Sequence, residues 1–185
     1  SAVSRNNILT RLQQATGALQ KDSGNVTFHE GRSIDEGKRW PAKEKVLRLK
    51  RMMEAVHTEV HLCGENTWIK TLCSVLEQKQ IRKILYGAKT GLAQELGKLK
   101  QESPEMIPEL IDYKDPIEES KDLLFEIDAA ITTTRGGIAE TGSLILWPTP
   151  NEPRLMSLVP PIHIAVLYAS DIYSTFREAM ISANW

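Results

Sequence analysis

Residues 128–167 read DAAITTTRGGIAETGSLILWPTPNEPRLMSLVPPIHIAVL, and this stretch decides the fold. Ala129–Thr133 and His163–Leu167 are short apolar runs, which predict two buried strands. A third run, Ser143–Trp147, follows the first after a connection that is too short for the crossover between parallel strands. The pattern therefore predicts a sheet in which this pair of strands is antiparallel.

The sequence before and after this stretch alternates between helical and strand patterns. Apolar residues recur at helical spacing after Pro41, and proline is a favourable first residue of a helix. Strands that alternate with helices predict an α/β fold in three layers, α/β/α, with a mostly parallel but mixed sheet. The predicted strands are Glu59–Leu62, Lys83–Tyr86 and Glu109–Ile111, and the predicted helices are Pro41–His57, Thr67–Gln78, Lys89–Leu99, Pro116–Leu124 and Ile172–Ile181.

The first 40 residues predict a separate segment. Arg5–Leu19 carries apolar residues along one side of a helix, whereas Lys21–Arg39 is polar and has little periodicity. We therefore divide the chain into an N-terminal helix with a mobile arm, residues 1–40, and an α/β domain, residues 41–185.

Charge and composition argue against several classes of protein. Lys and Arg number 23 and Asp and Glu number 24, so the net charge is -1 and no basic excess indicates nucleic-acid binding. No apolar run approaches the roughly 20 residues of a membrane span, and the N-terminus has no apolar core of a secretory signal. The two cysteines, Cys63 and Cys73, suit a reducing compartment. These features predict a cytoplasmic protein that has no membrane span and does not bind nucleic acid, although a balanced net charge leaves a local basic patch open.

Motifs for metal, nucleotide or cluster chemistry are incomplete. His57 and His61 lie four residues apart, but Thr58 stands where a zincin has its glutamate. Ala88 stands where a P-loop has the glycine before its lysine. Two cysteines are too few for an iron–sulfur cluster, which needs about four thiolates. We therefore expect no metal ion and no cofactor in this chain.

The carboxyl end of the strand Ala129–Thr133 predicts a ligand site. Crevices in open α/β sheets form at this end of the strands, where Thr132, Thr133 and Thr134 lie, and Thr133 and Thr134 are placed to supply hydroxyl groups. Gly136 and Gly137 follow in a predicted turn and permit close approach of the backbone to a ligand. We therefore treat these two threonines and two glycines as candidate ligand-binding residues.

Glu140 is a candidate catalytic residue in the same region. It lies between small residues at the start of an apolar strand, so its carboxylate is expected to be partly desolvated. Such a carboxylate suits a general base, a nucleophile or a ligand contact, and the adjacent Thr141 and Gly142 are candidate ligand contacts. The alternative is that Glu140 accepts hydrogen bonds from backbone amides and fixes the turn, and the sequence leaves both open.

Two further side chains carry candidate chemistry. Arg154 is suited to binding a carboxylate or phosphate through two parallel hydrogen bonds, or to a salt bridge with Glu140 or Glu152. His163 begins a strand after two prolines, where it is either an acid–base group or a structural histidine. Arg154 is therefore a candidate ligand-binding residue, and His163 is a candidate catalytic residue.

The order IDAAIT, then IAETGSLIL, then PRLMSLVPPIHIAVL resembles the LUD domain, which is named for lactate utilisation. The resemblance is greatest to the LutC/YkgG branch and strongest over residues 125–172, and SRNNILTRL near the N-terminus also resembles that branch. It implies a three-layered fold of the NagB/RpiA/CoA-transferase-like group. The matching positions are Glu140, Thr141, Gly142, Arg154, Pro160, Pro161 and His163.

The resemblance also implies a function and partners. LutC-type proteins act in the bacterial cytoplasm with LutA-like and LutB-like iron–sulfur proteins, and together these oxidise L-lactate to pyruvate. The few cysteines here fit the subunit without clusters, so we expect iron–sulfur clusters in the partner subunits and no activity of this chain alone. Two other functions stay open: a stand-alone enzyme that uses Glu140 on a small phosphorylated or acyl substrate, and a module that senses a small carboxylate. The oligomeric state, including a homo-oligomer, also stays open.

The resemblance further implies that the domain continues. Members of this branch usually extend beyond the helix predicted at Ile172–Ile181, with a segment of the Gly-Pro-Ser-x-Thr-Ala-Asp type. The sequence ends at Trp185. We therefore expect the C-terminal part of the domain to lie outside these 185 residues.

Overall fold

The computed structural model describes residues 38–113 and 124–183. The predicted helix Arg5–Leu19 and most of the segments Lys21–Arg39 and Pro116–Leu124 lie outside the described residues. Within the described ranges, no helix combines the length and the apolar character needed to cross a membrane. The elements are α1 (Ala42–Glu54), α2 (Trp68–Gln78), β1 (Lys83–Tyr86), α3 (Gly91–Glu102), β2 (Glu109–Asp112), β3 (Ala129–Thr133), β4 (Gly136–Ile138), β5 (Ser143–Ile145), β6 (Ile162–Val166), β7 (Ile172–Tyr173) and α4 (Phe176–Ala183), with 3-10 turns at Pro104–Met106, Arg154–Ser157 and Ala169–Asp171.

The first sheet has four strands in the order β2-β1-β3-β6, and all neighbouring strands are parallel. Its register aligns Ile84 with Ala129 and Ala130 with His163. The strands are short apolar runs, as parallel strands buried on both faces usually are. Because the strands share one direction, their carboxyl ends lie along a single edge of the sheet.

Layers of chain cover both faces of this sheet. On one face, Ile84 and Ile131 are fully buried against α2 and α3. On the other face, Leu85 packs in a cluster with Leu124, and residues 124–126 are helical. Successive residues of a strand point to opposite faces, so each strand contributes to both clusters. The predicted three-layer α/β/α fold is therefore confirmed.

A second, smaller sheet has the order β5-β4-β7. Its central strand β4 pairs antiparallel with β5 and parallel with β7. Helix α1 lies against this sheet, and its buried Leu49 packs with Ala139 and Ile172. The antiparallel pairing in this fold is therefore confined, among the described strands, to the small sheet.

Two expectations about this region are wrong. The strand within Ser143–Trp147 does not pair with Ala129–Thr133, because its antiparallel partner is β4. Gly136 and Gly137, predicted in a turn, are instead the first two residues of β4. The reason is close packing, since a Cβ on Gly136 would lie 2.7 Å from the backbone oxygen of Asp171. The glycines therefore allow the chain to continue as a strand where a turn was expected.

Two other predicted elements differ from the structure. Glu59–Leu62 forms no strand, and the carbonyl of Val60 accepts a hydrogen bond of 2.8 Å from Lys50 Nζ on α1. The closing helix begins at Phe176 and not at Ile172, because Ile172 and its neighbour form β7 beside β4. Both differences arise from pairing and contacts between segments that are distant in sequence.

Candidate functional site

A cleft of about 310 Å³ opens at the carboxyl end of β3. The edge formed by the carboxyl ends of parallel strands is where open α/β sheets usually bind ligands. Residues of β3, of the segment that starts at β5 and of the loop before β6 line the cleft. The polar lining consists of Thr132, Thr133, Glu152, Arg154 and Ser157.

Glu152 is the buried carboxylate of the cleft, with 8% of its surface exposed. Its Oε1 accepts a hydrogen bond of 3.0 Å from the backbone N–H of Thr133, and its Oε2 accepts one of 2.5 Å from the Thr133 hydroxyl. The ion pairs found in the described part of the chain do not include Glu152. Because a carboxylate has about four acceptor positions, Glu152 can accept a further hydrogen bond from a ligand in the cleft.

The loop that carries Glu152 is held by local and distant contacts. The Thr149 N–H donates to the Glu152 carbonyl at 3.0 Å, and the Glu152 N–H donates to the Thr149 hydroxyl at 3.0 Å. At the end of β1, a Cβ on Gly87 would lie 2.5 Å from the Asn151 oxygen and 2.8 Å from Glu152 Cγ. The loop can therefore approach the sheet only because residue 87 has no side chain.

His163 lies next to the cleft on β6. Its Nε2 shares a hydrogen bond of 2.8 Å with the hydroxyl of Thr132, whose surface is buried. Burial lowers the pKa of His163 from its usual 6.5, although the neighbouring Glu152 carboxylate acts in the opposite direction. The imidazole is therefore neutral near neutral pH and adds no positive charge to the cleft.

The opposite wall of the cleft is apolar. It is formed by Leu144 and Leu146, by Trp147 and by Leu158. Trp147 is 59% exposed and Leu158 is 62% exposed, so part of this wall is open to solvent. The cleft therefore combines polar groups from the sheet and the loop with an apolar surface on its other side.

The structure brings three of the predicted site residues together. Thr133 and Arg154 line the cleft, and His163 adjoins it through Thr132. Arg154 takes part in none of the ion pairs found among the described residues, so neither predicted salt bridge with a glutamate is among them. Its exposed side chain is therefore available to an anionic ligand.

Glu140 lies outside the cleft lining. Its carboxylate forms an ion pair with the ammonium group of Lys38, and its backbone N–H donates to the Ser174 carbonyl at 3.0 Å. Its side chain is partly buried. A catalytic role of Glu140 stays a prediction.

The other predicted ligand contacts take part in contacts within the chain. The Thr134 hydroxyl donates to the Val166 carbonyl at 2.9 Å, and the Thr141 hydroxyl lies 2.9 Å from that of Ser143. Gly142 has a positive φ of 69°, and a Cβ there would lie 2.7 Å from the Cβ of Met52. These residues therefore join strands and seat α1 on the small sheet, and their role in binding also stays a prediction.

Gly136 and Gly137 also take part in contacts within the chain. A Cβ on Gly136 would meet the ring of Tyr173 at 2.9 Å, and one on Gly137 would meet the side chain of Leu167 at 2.9 Å. The close approach that these glycines permit is therefore made by the protein's own side chains in this structure.

Thr132 and Glu152 were not among the predicted site residues, although Thr132 lies at the predicted ligand-binding end of its strand. Glu152 is three residues after Thr149, which is the spacing at which a threonine hydroxyl can cap the backbone of a turn. That spacing, inside a loop with three prolines, was the available signal for an ordered carboxylate. The partnership of Thr132 with His163 depends on the pairing of β3 with β6, which no local pattern indicates.

The sequence and the fold can also be compared with those of known proteins. The family model of the LUD domain matches residues 46–185, which include both sheets and the whole cleft. The chain belongs to the LUD-domain family. This family is associated with lactate utilisation.

Two relatives agree with this assignment. The LUD chain is 30% identical over 181 residues to an uncharacterised protein of Neisseria meningitidis serogroup B, covering 95% of this chain and 73% of that protein. Its fold is similar to the crystal structure of a DUF162-family protein from Deinococcus radiodurans, with a TM-score of 0.63 and 19% identity. That similarity covers 79% of this chain and 82% of the other, and it supports the three-layer fold.

Proposed function

We propose that this LUD protein is the subunit without iron–sulfur clusters in a multi-protein system that oxidises L-lactate to pyruvate. The observation that supports this most directly is the family match over residues 46–185. The cleft at the end of β3 is consistent with it, because it combines an exposed arginine with a buried glutamate. Such a system would operate in the cytoplasm.

Under this proposal, the oxidation of L-lactate requires partner proteins that accept electrons. Oxidation of a 2-hydroxy acid to a 2-oxo acid releases two electrons and two protons, and the electrons need an acceptor. This chain contains two cysteines, whereas an iron–sulfur cluster needs about four thiolates. The electrons would therefore pass to clusters held by LutA-like and LutB-like partner proteins, and this chain would contribute to binding and positioning the substrate.

Reconstitution tests the proposal. The chain is co-expressed with the LutA-like and LutB-like proteins of the same organism, and the purified assembly is assayed for L-lactate-dependent reduction of an electron-accepting dye. We expect activity only when all three proteins are present, and we expect D-lactate to be a poorer substrate. Activity that is unchanged when this chain is left out would contradict the proposal.

The isolated chain provides the matched control. We expect no stoichiometric iron by elemental analysis and no lactate oxidation by the isolated chain with the same dye. Stoichiometric iron or turnover by the chain alone would instead support a stand-alone enzyme.

A further inference from the structure

We propose that the cleft at the end of β3 binds 2-hydroxy acids whose side chain is apolar and larger than the methyl group of lactate. The site comprises Arg154 and Glu152 as the polar contacts and Leu146, Trp147 and Leu158 as the apolar wall. The choice of a hydroxy acid rests on the proposed function, whereas the preference for a larger side chain rests on the cleft itself.

The charges in the cleft define the polar end of the ligand. Arg154 lines the cleft, is exposed, and forms none of the ion pairs found in the described ranges. A guanidinium group binds a carboxylate through two parallel hydrogen bonds. The neighbouring His163 is neutral, so Arg154 is the cation of the lining, and it matches a ligand with one carboxylate.

Glu152 defines the second polar contact. Its two oxygens already accept hydrogen bonds from the amide and hydroxyl of Thr133, so the carboxylate is held in one orientation. Its remaining acceptor positions favour a ligand that donates a hydrogen bond, such as a hydroxyl group. A 2-oxo acid has only acceptors at this position, so it would desolvate the remaining acceptor positions of Glu152 without donating a hydrogen bond to them, which costs binding free energy.

The size of the cleft argues for a larger side chain. A three-carbon hydroxy acid has about six non-hydrogen atoms, and at the roughly 30 Å³ of a liquid water molecule each, these fill at most about 180 Å³. The cleft holds about 310 Å³. The remaining space lies in a cleft whose lining includes Leu146, Trp147 and Leu158, so an apolar side chain of several carbons would fill it.

A ligand series measured by isothermal titration calorimetry on the purified 185-residue chain tests the proposal. The series is L-lactate, L-2-hydroxybutyrate and L-2-hydroxyisocaproate, with 2-oxoisocaproate and 4-methylpentanoate as acids that lack the hydroxyl group. Burial of one methylene group strengthens binding by about fourfold. Because the wall is partly exposed, we expect L-2-hydroxyisocaproate to bind about tenfold more tightly than L-lactate, and both comparison acids to bind more weakly than it.

Binding measurements on substituted chains test which residues contact the acid. Arg154→Ala should weaken binding of every acid in the series by at least about tenfold. Arg177→Ala, which removes an exposed arginine on α4, is the matched control and should leave binding unchanged. Leu158→Ala should reduce the difference between L-lactate and L-2-hydroxyisocaproate, because it removes part of the apolar wall. Circular dichroism of each variant checks that the fold is retained.

The outcomes separate this inference from the proposed function. The site assignment is overturned if L-lactate binds as tightly as L-2-hydroxyisocaproate, if no acid binds, or if Arg154→Ala binds like the parent chain. Absence of acid binding together with lactate oxidation by the reconstituted assembly would reject the site and leave the function in place. The predicted binding series together with an assembly that cannot oxidise lactate would reject the function and leave the site in place.

Discussion

At the scale of single residues, Gly87 controls the position of the Glu152 carboxylate. The two residues are far apart in sequence, and the structure brings them together at the end of β1. The gap left by the missing side chain is occupied by the backbone of Asn151, at 2.5 Å from the position of a Cβ. Backbone cannot rotate away as a flexible side chain can, so any side chain at residue 87 must displace the loop.

We predict that Gly87→Ala destabilises the protein and weakens ligand binding in the cleft. Overpacking of this kind costs about 1–3 kcal/mol of unfolding free energy. Urea denaturation gives the unfolding free energy. Gly97→Ala is the matched control, since no other part of the described structure lies within 4 Å of its Cβ position in α3 beyond the adjacent helix backbone, and it should stabilise by about 0.5–1 kcal/mol. A Gly87→Ala variant as stable as the parent would contradict the packing argument.

A second prediction at this scale concerns the pH dependence of stability. Burial lowers the pKa of His163 from 6.5, so the unfolded chain takes up a proton at a higher pH than the folded chain does. The contribution of His163 to stability is therefore complete above pH 6.5, and it is lost as the pH falls through the lowered pKa of the folded state. The stability of the parent chain should thus decrease as the pH falls from above 6.5 to below it.

The variant His163→Gln tests this prediction, because glutamine does not titrate and can still form a hydrogen bond with Thr132. We expect thermal unfolding midpoints to fall less over the same pH range in His163→Gln than in the parent chain. Equal slopes for the parent chain and His163→Gln would contradict the prediction.

At the scale of elements, helix α1 is held on the small sheet by a glycine. Gly142 has a φ of 69°, in the left-handed region that side chains disfavour, and the Cβ and backbone of Met52 lie within 2.9 Å of its Cβ position. The buried Leu49 then packs on Ala139 and Ile172. The turn after β4 and the helix therefore fit together only with glycine at residue 142.

We predict that Gly142→Ala destabilises the protein by about 2–5 kcal/mol, because a left-handed backbone costs about 1–2 kcal/mol and overpacking adds about 1–3 kcal/mol. Chemical denaturation measures the loss. Gly91→Ala at the start of α3 is the control, since among the described residues only its own helix and chain neighbours come within 4 Å of its Cβ position. A loss of ligand binding without a loss of stability would favour the predicted role of Gly142 as a ligand contact.

The elements also show what the sequence could predict. Lys83–Tyr86 and Ala129–Thr133 were predicted with the bounds that the structure has, because continuous apolar runs are typical of buried parallel strands. In the small sheet, β5 lies within the predicted strand Ser143–Trp147. Strands β4 and β7 were not predicted, since β4 begins with two glycines and β7 has two residues. Such strands are defined by their partners and not by a local pattern.

The candidate site also contains residues that the sequence predicted and residues that it did not. Thr133 and Arg154 were predicted from their chemistry and their position after a strand or in a loop, and they do line the cleft. Glu152 was considered only as a salt-bridge partner, because its burial depends on the loop packing against Gly87. Local sequence therefore indicated which edge of the sheet carries the cleft, while the choice of carboxylate depended on contacts between distant segments.

At the scale of the whole molecule, two glutamates are alternative functional carboxylates. Glu152 lies in the cleft, is buried and is oriented by Thr133. Glu140 pairs with Lys38 and lies outside the cleft lining. If the reconstituted assembly uses this cleft to hold lactate, neutralising Glu152 removes a charged hydrogen-bond acceptor that contacts the substrate, whereas neutralising Glu140 removes an ion pair elsewhere in the domain.

We predict that Glu152→Gln lowers kcat/KM for L-lactate in the reconstituted assembly by about tenfold to a hundredfold. A hydrogen bond to a charged group is worth about 1.5–3 kcal/mol, and about 1.4 kcal/mol corresponds to a factor of ten in rate. Glu105→Gln, at an exposed position, is the control that should match the parent chain. A larger loss for Glu140→Gln than for Glu152→Gln would move the functional carboxylate to the turn after β4, because a partly exposed ion pair contributes too little stability to explain such a loss.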